Sequence, residues 1–341
     1  MTDTTGGEPS KLYAIQALRF LAVFGVMVHH ASLGVTDHIT ISLGGAGVDL
    51  FFVISGVVIG YIDHNDGVGP FAMKRIIRIL PLYWIATLVY GVFRFALFHD
   101  VHSADDIIHS MFLIPTSFNL WMPIYFPGWT LCYELCFYAL FALALMIARQ
   151  RATLVAGLMA MFLLILPAPP QFAGKPFLDL SPYLEFGAGL FIAEALRNGY
   201  RFPRRAGAIA LALSISGFAM YPHTYLARYY VWGIPSALMV IGALSFEGAP
   251  LFRNRLLSLG GDASYALYLF HVPVLEGIVR LLDQQGMVFD HSALSFVLRF
   301  LVPLGAALAA GIAAHLWVER PLLRMLRRLI GRIPQGSMAM T

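Results

Sequence analysis

The feature that most constrains this chain is the way apolar runs crowd out charge. Ten runs long enough, or nearly so, to cross a bilayer lie near Tyr13–Leu33, Gly45–Ile62, Ile79–Phe98, Trp129–Ala148, Ala152–Pro167, Pro182–Leu196, Ala206–Tyr221, Tyr229–Phe246, Asp262–Leu282 and Ala293–Trp317. Only 12% of the residues are charged, against roughly a quarter in soluble domains, so a water-solvated surface of ordinary size cannot be assembled. The expected fold class is all-α, a polytopic integral membrane bundle of about ten transmembrane helices. The domain reading is a polar disordered tail over 1–12, one membrane domain over 13–324 and a basic tail over 325–341. The apolar run Ala17–Val28 contains Arg19 and is followed by no small-residue cleavage site, so it reads as a retained span rather than a signal peptide.

Charge asymmetry orients these spans. With the N-terminus in the cytoplasm, the inner side receives most of the 23 basic residues, among them Lys74, Arg75, Arg78, Arg204, Arg205 and Arg320. Outer loops keep little beyond Lys175 and Arg228. Both termini are therefore expected inside. The basic residues are scattered between apolar spans, which argues against a nucleic-acid partner.

Charges within spans are expensive and face a protein interior or a wet cavity. Arg19 and His30 are separated by eleven positions, close to three turns, so they share one face of the first helix about 16 Å apart. Asp49 opens the second span, and Glu134 lies about one and a half turns into the fourth. His30, Asp49 and Glu134 are thus expected at one depth near the outer side. An imidazole beside a carboxylate is a general-base arrangement, because the carboxylate fixes the tautomer and stabilises the cation; the competing reading is a polar contact between helices.

On the inner side, Arg75 and Arg78 at i and i+3 present two guanidinium forks from one helix face, suited to phosphate. The same residues also serve as simple positive-inside anchors. His271 lies mid-span, where it either lines a cavity or bonds across helices. Glu276 and Arg280, at i and i+4, are expected to pair. Trp129, Tyr133 and Phe126 are candidates for stacking on a sugar at the outer mouth, although aromatic residues are common at membrane interfaces. The spacing of Cys132 and Cys136 suits small packing residues, and no metal site is expected.

Several blocks, in order, resemble a known family. Arg19 and His30 are similar to the first-helix signature of the membrane-bound acyltransferase 3 family, which includes O-antigen and exopolysaccharide acetyltransferases. The segment from Gly47-Val48-Asp49 to Ser55-Gly56 resembles its second-helix block, and Arg75-Ile76-Ile77-Arg78 with Leu80-Pro81-Leu82-Tyr83-Trp84 its cytoplasmic motif. Gly128-Trp129-Thr130-Leu131-Cys132-Tyr133-Glu134, Gly261-Asp262 through His271, and Val318-Glu319-Arg320-Pro321 resemble three further blocks. The resemblance runs from about Tyr13 to Arg324. Gln16 departs from it where an acidic residue is common, and Leu135 where many members carry a second Glu. No stretch reads as an appended esterase-like domain, so the likeness is to the stand-alone branch associated with exopolysaccharides and small glycosides.

The resemblance implies an acyl-CoA-dependent O-acyltransferase, with acetyl-CoA as the usual co-substrate and a glycan or glycoside hydroxyl as acceptor. It implies His30 as the catalytic residue; the charge map adds that His30 acts as general base or transient acyl carrier, with Glu134 or Asp49 orienting it and Arg19 positioning the thioester or offsetting the oxyanion. Arg75, Arg78 and Arg19 are the expected acyl-CoA contacts, and Trp129, Tyr133 and His271 the acceptor contacts. Partners are the lipid bilayer and polysaccharide assembly machinery. A secondary transporter with an intramembrane His/Glu/Arg path is the alternative, but the internal repeats or paired broken helices of such folds are not apparent.

Overall fold

A computed structural model of the protein describes residues 12–35, 42–63, 66–113, 123–162, 181–219, 229–287 and 292–330. Both expected tails fall largely outside the described residues, as do Lys175 and Arg228. Among the described residues every regular element is helical. In chain order the helices are α1 (Tyr13–Leu33), α2 (Ala46–Ile62), α3 (Val68–Phe98), α4 (Ala104–Phe112), α5 (Gly128–Ala148) and α6 (Ala152–Phe162). They continue with α7 (Ser181–Arg197), α8 (Arg204–Phe218), α9 (Ile234–Ser245), α10 (Arg255–Asp262), α11 (Ser264–Gln284) and α12 (Ala293–Leu329).

Each of the ten apolar runs carries a helix. Among the described residues, six helical stretches are both long and apolar enough to cross a membrane: Tyr13–Leu33, Leu43–Ile62, Val68–Phe98, Gly128–Phe162, Ser264–Gln284 and Ala293–Leu329. The bundle turns large apolar side chains outward, such as Leu88, Val92 and Phe95 on α3 and Met146 and Ile147 on α5. That surface suits lipid, and closed helices satisfy their own backbone there.

Small residues set the helix spacing. α2 packs most extensively on α7, and a Cβ on Gly56 would overlap the Phe186 carbonyl oxygen while one on Gly189 would overlap that of Val53. Close backbone approach of this kind replaces the hydrophobic driving force that lipid cannot provide. Behind it, the Phe137 and Phe186 rings stack with centroids 3.7 Å apart.

Three local features shape this part of the bundle, two of them against expectation. α3 begins at Val68 rather than Ile79 and runs for 31 residues, about 46 Å, so Lys74, Arg75 and Arg78 belong to the helix itself. Tyr83 and Trp84 tie α4 to α3: the Tyr83 hydroxyl donates to the Ser110 carbonyl at 2.9 Å and the Trp84 indole to that of Met111 at 2.7 Å. Glu276 accepts from Tyr90 at 3.2 Å and lies 3.7 Å from Arg94, while Arg280 sits over the Phe98 ring, so the expected Glu276–Arg280 pair gives way to contacts across helices.

Candidate active site

Two polar sites sit one above the other along α1. The first is a cavity of about 110 Å³ between α1, α2, α3, α5 and α11. Arg19, Arg75, Arg78 and Glu134 supply its charges, Ser55, Thr130, Tyr138, Ser264, Tyr265 and Tyr268 its hydroxyls, and Val48, Phe51, Phe52 and Ile79 part of its apolar wall. A water centre needs about 10–15 Å³, so the cavity admits several waters or a narrow flexible chain.

The arginines are held by carboxylates on neighbouring elements. Asp63, immediately after α2, accepts from Arg75 and lies 3.6 Å from Lys74, which also donates to Asp66 at 2.8 Å. Arg75 lies between the rings of Phe71 and Tyr138. Arg78 donates to Glu319, whose second oxygen accepts from His315 Nδ1 at 2.6 Å. His315 and Glu319, four positions apart on one helix face, are the ends of a π-type turn in α12, and both are buried. Asp63 was not singled out in the sequence, because a carboxylate at a helix end reads as solvated surface. It is fully buried.

Glu134 belongs to this cavity rather than to His30. Tyr138 donates to its carboxylate, and Ser55 approaches the same oxygen at 3.5 Å. The expected meeting of His30, Asp49 and Glu134 at one depth is not what the fold produces. The reason lies where α5 begins. The Pro127 carbonyl just before it accepts from the Tyr268 hydroxyl at 3.0 Å, so α5 starts level with Tyr268 and Glu134 lies about 9 Å deeper, among the arginines. Asp49 is buried in the first turn of α2, outside the cavity lining and the contacts of His30.

The second site is the histidine pair. His30 Nδ1 lies 2.7 Å from His271 Nε2, and the two rings lie edge to edge and nearly coplanar, with centroids 5.0 Å apart. His271 is fully buried, and its Nδ1 faces the carbonyls of Tyr268 at 2.8 Å and Leu267 at 3.2 Å. His29 and Phe126 complete the ring contacts of His30. Tyr268 links the two sites, lining the cavity one turn before His271 on α11.

Pro273 helps to place this pair. Lacking an N–H, it frees the Leu269 carbonyl inside α11, and the Tyr125 hydroxyl donates to that oxygen. Tyr125 in turn fixes the chain that carries Phe126 against His30. Of the expected acceptor contacts, His271 is at the site and partly buried Trp129 touches Tyr133, but Tyr133 itself is packed among Phe52 and Tyr183 in the core. Arg299, expected within a span, is satisfied by the Gly34 carbonyl at 3.2 Å and Asp283 at 2.8 Å. No cluster of metal-ligating side chains occurs among the described residues.

Known proteins resemble this chain over most of its length. The chain is 35% identical over 313 residues to the exopolysaccharide production protein ExoZ of Rhizobium meliloti (strain 1021), covering 87% of this chain and 95% of that one. It is 27% identical over 330 residues to the acyltransferase MdmB of Streptomyces mycarofaciens, covering 85% and 84%. No solved structure matches. The acyltransferase domain profile spans residues 12–316, from the start of α1 through His315 in α12, and with it both polar sites. The chain belongs to the acyltransferase 3 family.

Proposed function

We propose that this protein is a membrane O-acyltransferase that moves an acyl group, acetyl in the first instance, from acyl-CoA to a hydroxyl of an exported glycan or glycoside. The observation that carries the reading is the stacking of an arginine-lined cavity beneath a histidine pair, with Tyr268 between them. The family supplies the reaction class, and the name of the exopolysaccharide production relative supports a polysaccharide acceptor. The basic bias of one side of the bundle supports entry of the donor from the cytoplasm of a bacterial inner membrane, with ten spans and both termini inside.

The residues present fit such a donor. Arg75 and Arg78 offer guanidinium groups to its phosphates, and Arg75 Nε is buried with no hydrogen-bond partner of its own. Arg19 lines the same cavity and contacts the arm of the donor that leads to its thioester. His30 takes the proton from the acceptor hydroxyl as its oxygen bonds to the acyl carbon. The carbon–sulfur bond then breaks, and the thiolate leaves with the proton held by His30. Glu134 keeps the arginine cluster compensated in a low-dielectric interior.

Purified protein in lipid discs, given acyl-labelled acetyl-CoA and the glycan fraction of a deletion strain, tests this reading. Label is expected on the glycan, with His30→Ala slower by about 10²–10⁴-fold. Transport of unmodified solute without label transfer sinks it.

A further inference from the structure

We infer that His271 is a positioning residue that fixes the tautomer of His30, leaving His30 Nε2 as the basic atom. This rests on the acyltransferase reading above and deepens it by naming the reacting nitrogen.

The argument is one of hydrogen-bond polarity. His271 Nδ1 faces two backbone carbonyls, of Tyr268 at 2.8 Å and Leu267 at 3.2 Å. Carbonyl oxygens only accept, so this nitrogen must carry the proton. In a neutral ring the other nitrogen, Nε2, then has a lone pair and can only accept. It lies 2.7 Å from His30 Nδ1, so His30 must be the donor at that atom. The proton of neutral His30 is therefore on Nδ1, and its lone pair is on Nε2. Nε2 has no hydrogen-bond partner among the described residues, and His30 is only partly buried, so this atom is open to an incoming hydroxyl. The polarity starts at the backbone of α11 and runs outward through two rings.

The arrangement does what a carboxylate does in a Ser-His-Asp triad: it holds the ring, selects the tautomer and accepts from the imidazolium that forms. It uses a neutral group. A carboxylate in that place would add a permanent charge within the membrane-spanning part of the bundle, which is costly. The nearest expected carboxylate, Glu134, is instead with the arginines. The in-plane hydrogen bond between two rings only 17° from coplanar, and the edge-on contact with Phe126, leave His30 little freedom to rotate away.

Two measurements test this. The first is the ring-¹⁵N spectrum of histidine-labelled protein in lipid discs at a pH where both rings are neutral, with His30 assigned by loss of its signal in His30→Gln. The expected result is a proton on Nδ1 of His30; a proton on Nε2 overturns the proposal. The second compares two variants. His271→Gln reproduces the polarity, since its amide N–H₂ donates to the helix carbonyls and its oxygen accepts from His30, whereas His271→Met fills the space without an acceptor. We expect His271→Gln to keep kcat within about tenfold of the parent, and His271→Met to lose about a hundredfold or more with the donor KM little changed. Equal losses in both variants, or a loss in acceptor KM alone, overturn the positioning role. An active His30→Ala would remove the catalytic reading, and the spectrum would still decide whether His271 sets the tautomer.

Discussion

Glu319 uses one carboxylate oxygen to hold Arg78 and the other to hold His315, so a single buried side chain on α12 joins α3 to its own π-type turn. Removing one member of a buried ion pair leaves its partner uncompensated. Glu319→Gln is expected to destabilise the protein by about 3–5 kcal/mol. Pairing it with Arg78→Met should recover much of that stability but not donor binding, measured as thermal unfolding in detergent and as KM for acyl-CoA. Full recovery of both would show that Arg78 has only a structural role.

Tyr125 and Pro273 should be energetically coupled. Tyr125→Phe leaves the Leu269 carbonyl buried without a donor, a loss of about 1–3 kcal/mol. In a Pro273→Ala background the restored N–H can satisfy that carbonyl, so the same change should cost much less. A double-mutant cycle on unfolding free energies measures the coupling, and additive losses would contradict the proposed link.

The glycines separate by what surrounds them. Gly56→Ala and Gly189→Ala each push a Cβ into a backbone carbonyl across the α2–α7 contact, and each is expected to cost about 1–3 kcal/mol from overpacking. Gly91 on α3 has nothing within 4 Å of a built Cβ. Gly91→Ala should be neutral or stabilising by up to about 1 kcal/mol. Similar melting shifts for all three would show that close approach is not what selects glycine.

Glu247 lies in the connection after α9 and accepts from the backbone N–H groups of Tyr13 and Ala14 at the start of α1. Burial holds its carboxyl above the usual range, outweighing those two donors. A raised folded-state pKa means the folded protein binds the proton more tightly than the unfolded chain. This contribution is present in full below the ordinary glutamate range and is lost as pH rises through the raised folded value. Thermal unfolding of wild type against Glu247→Gln across that window is expected to show a decline with pH that the variant lacks. Parallel curves would contradict it.

Much of the site could be read as an inventory before any contact was known. Arg19, His30, Glu134 and His271 stand out because polar groups in apolar helices require a reason, and Arg75 and Arg78 because their spacing pairs two guanidinium forks on one face. Asp63 gave no such signal, because it lies at a helix end that reads as surface. His315 lies inside the last apolar run, but nothing in the sequence says that it shares Glu319 with Arg78 of α3.

The sequence by itself determined the class of fold and which side chains would have to be buried, since apolar runs of bilayer length can bury their backbone only as helices. Tertiary structure decided who meets whom. Helical rise gives depth along one axis, but it does not give the level at which the next helix begins or its rotation about that axis. The start of α5 beside Tyr268 sends Glu134 to the arginines, and the packing of α11 on α1 brings together two histidines 241 positions apart. The hydrogen-bond polarity of that pair is fixed by the backbone carbonyls of α11, and it exists only once the two helices touch.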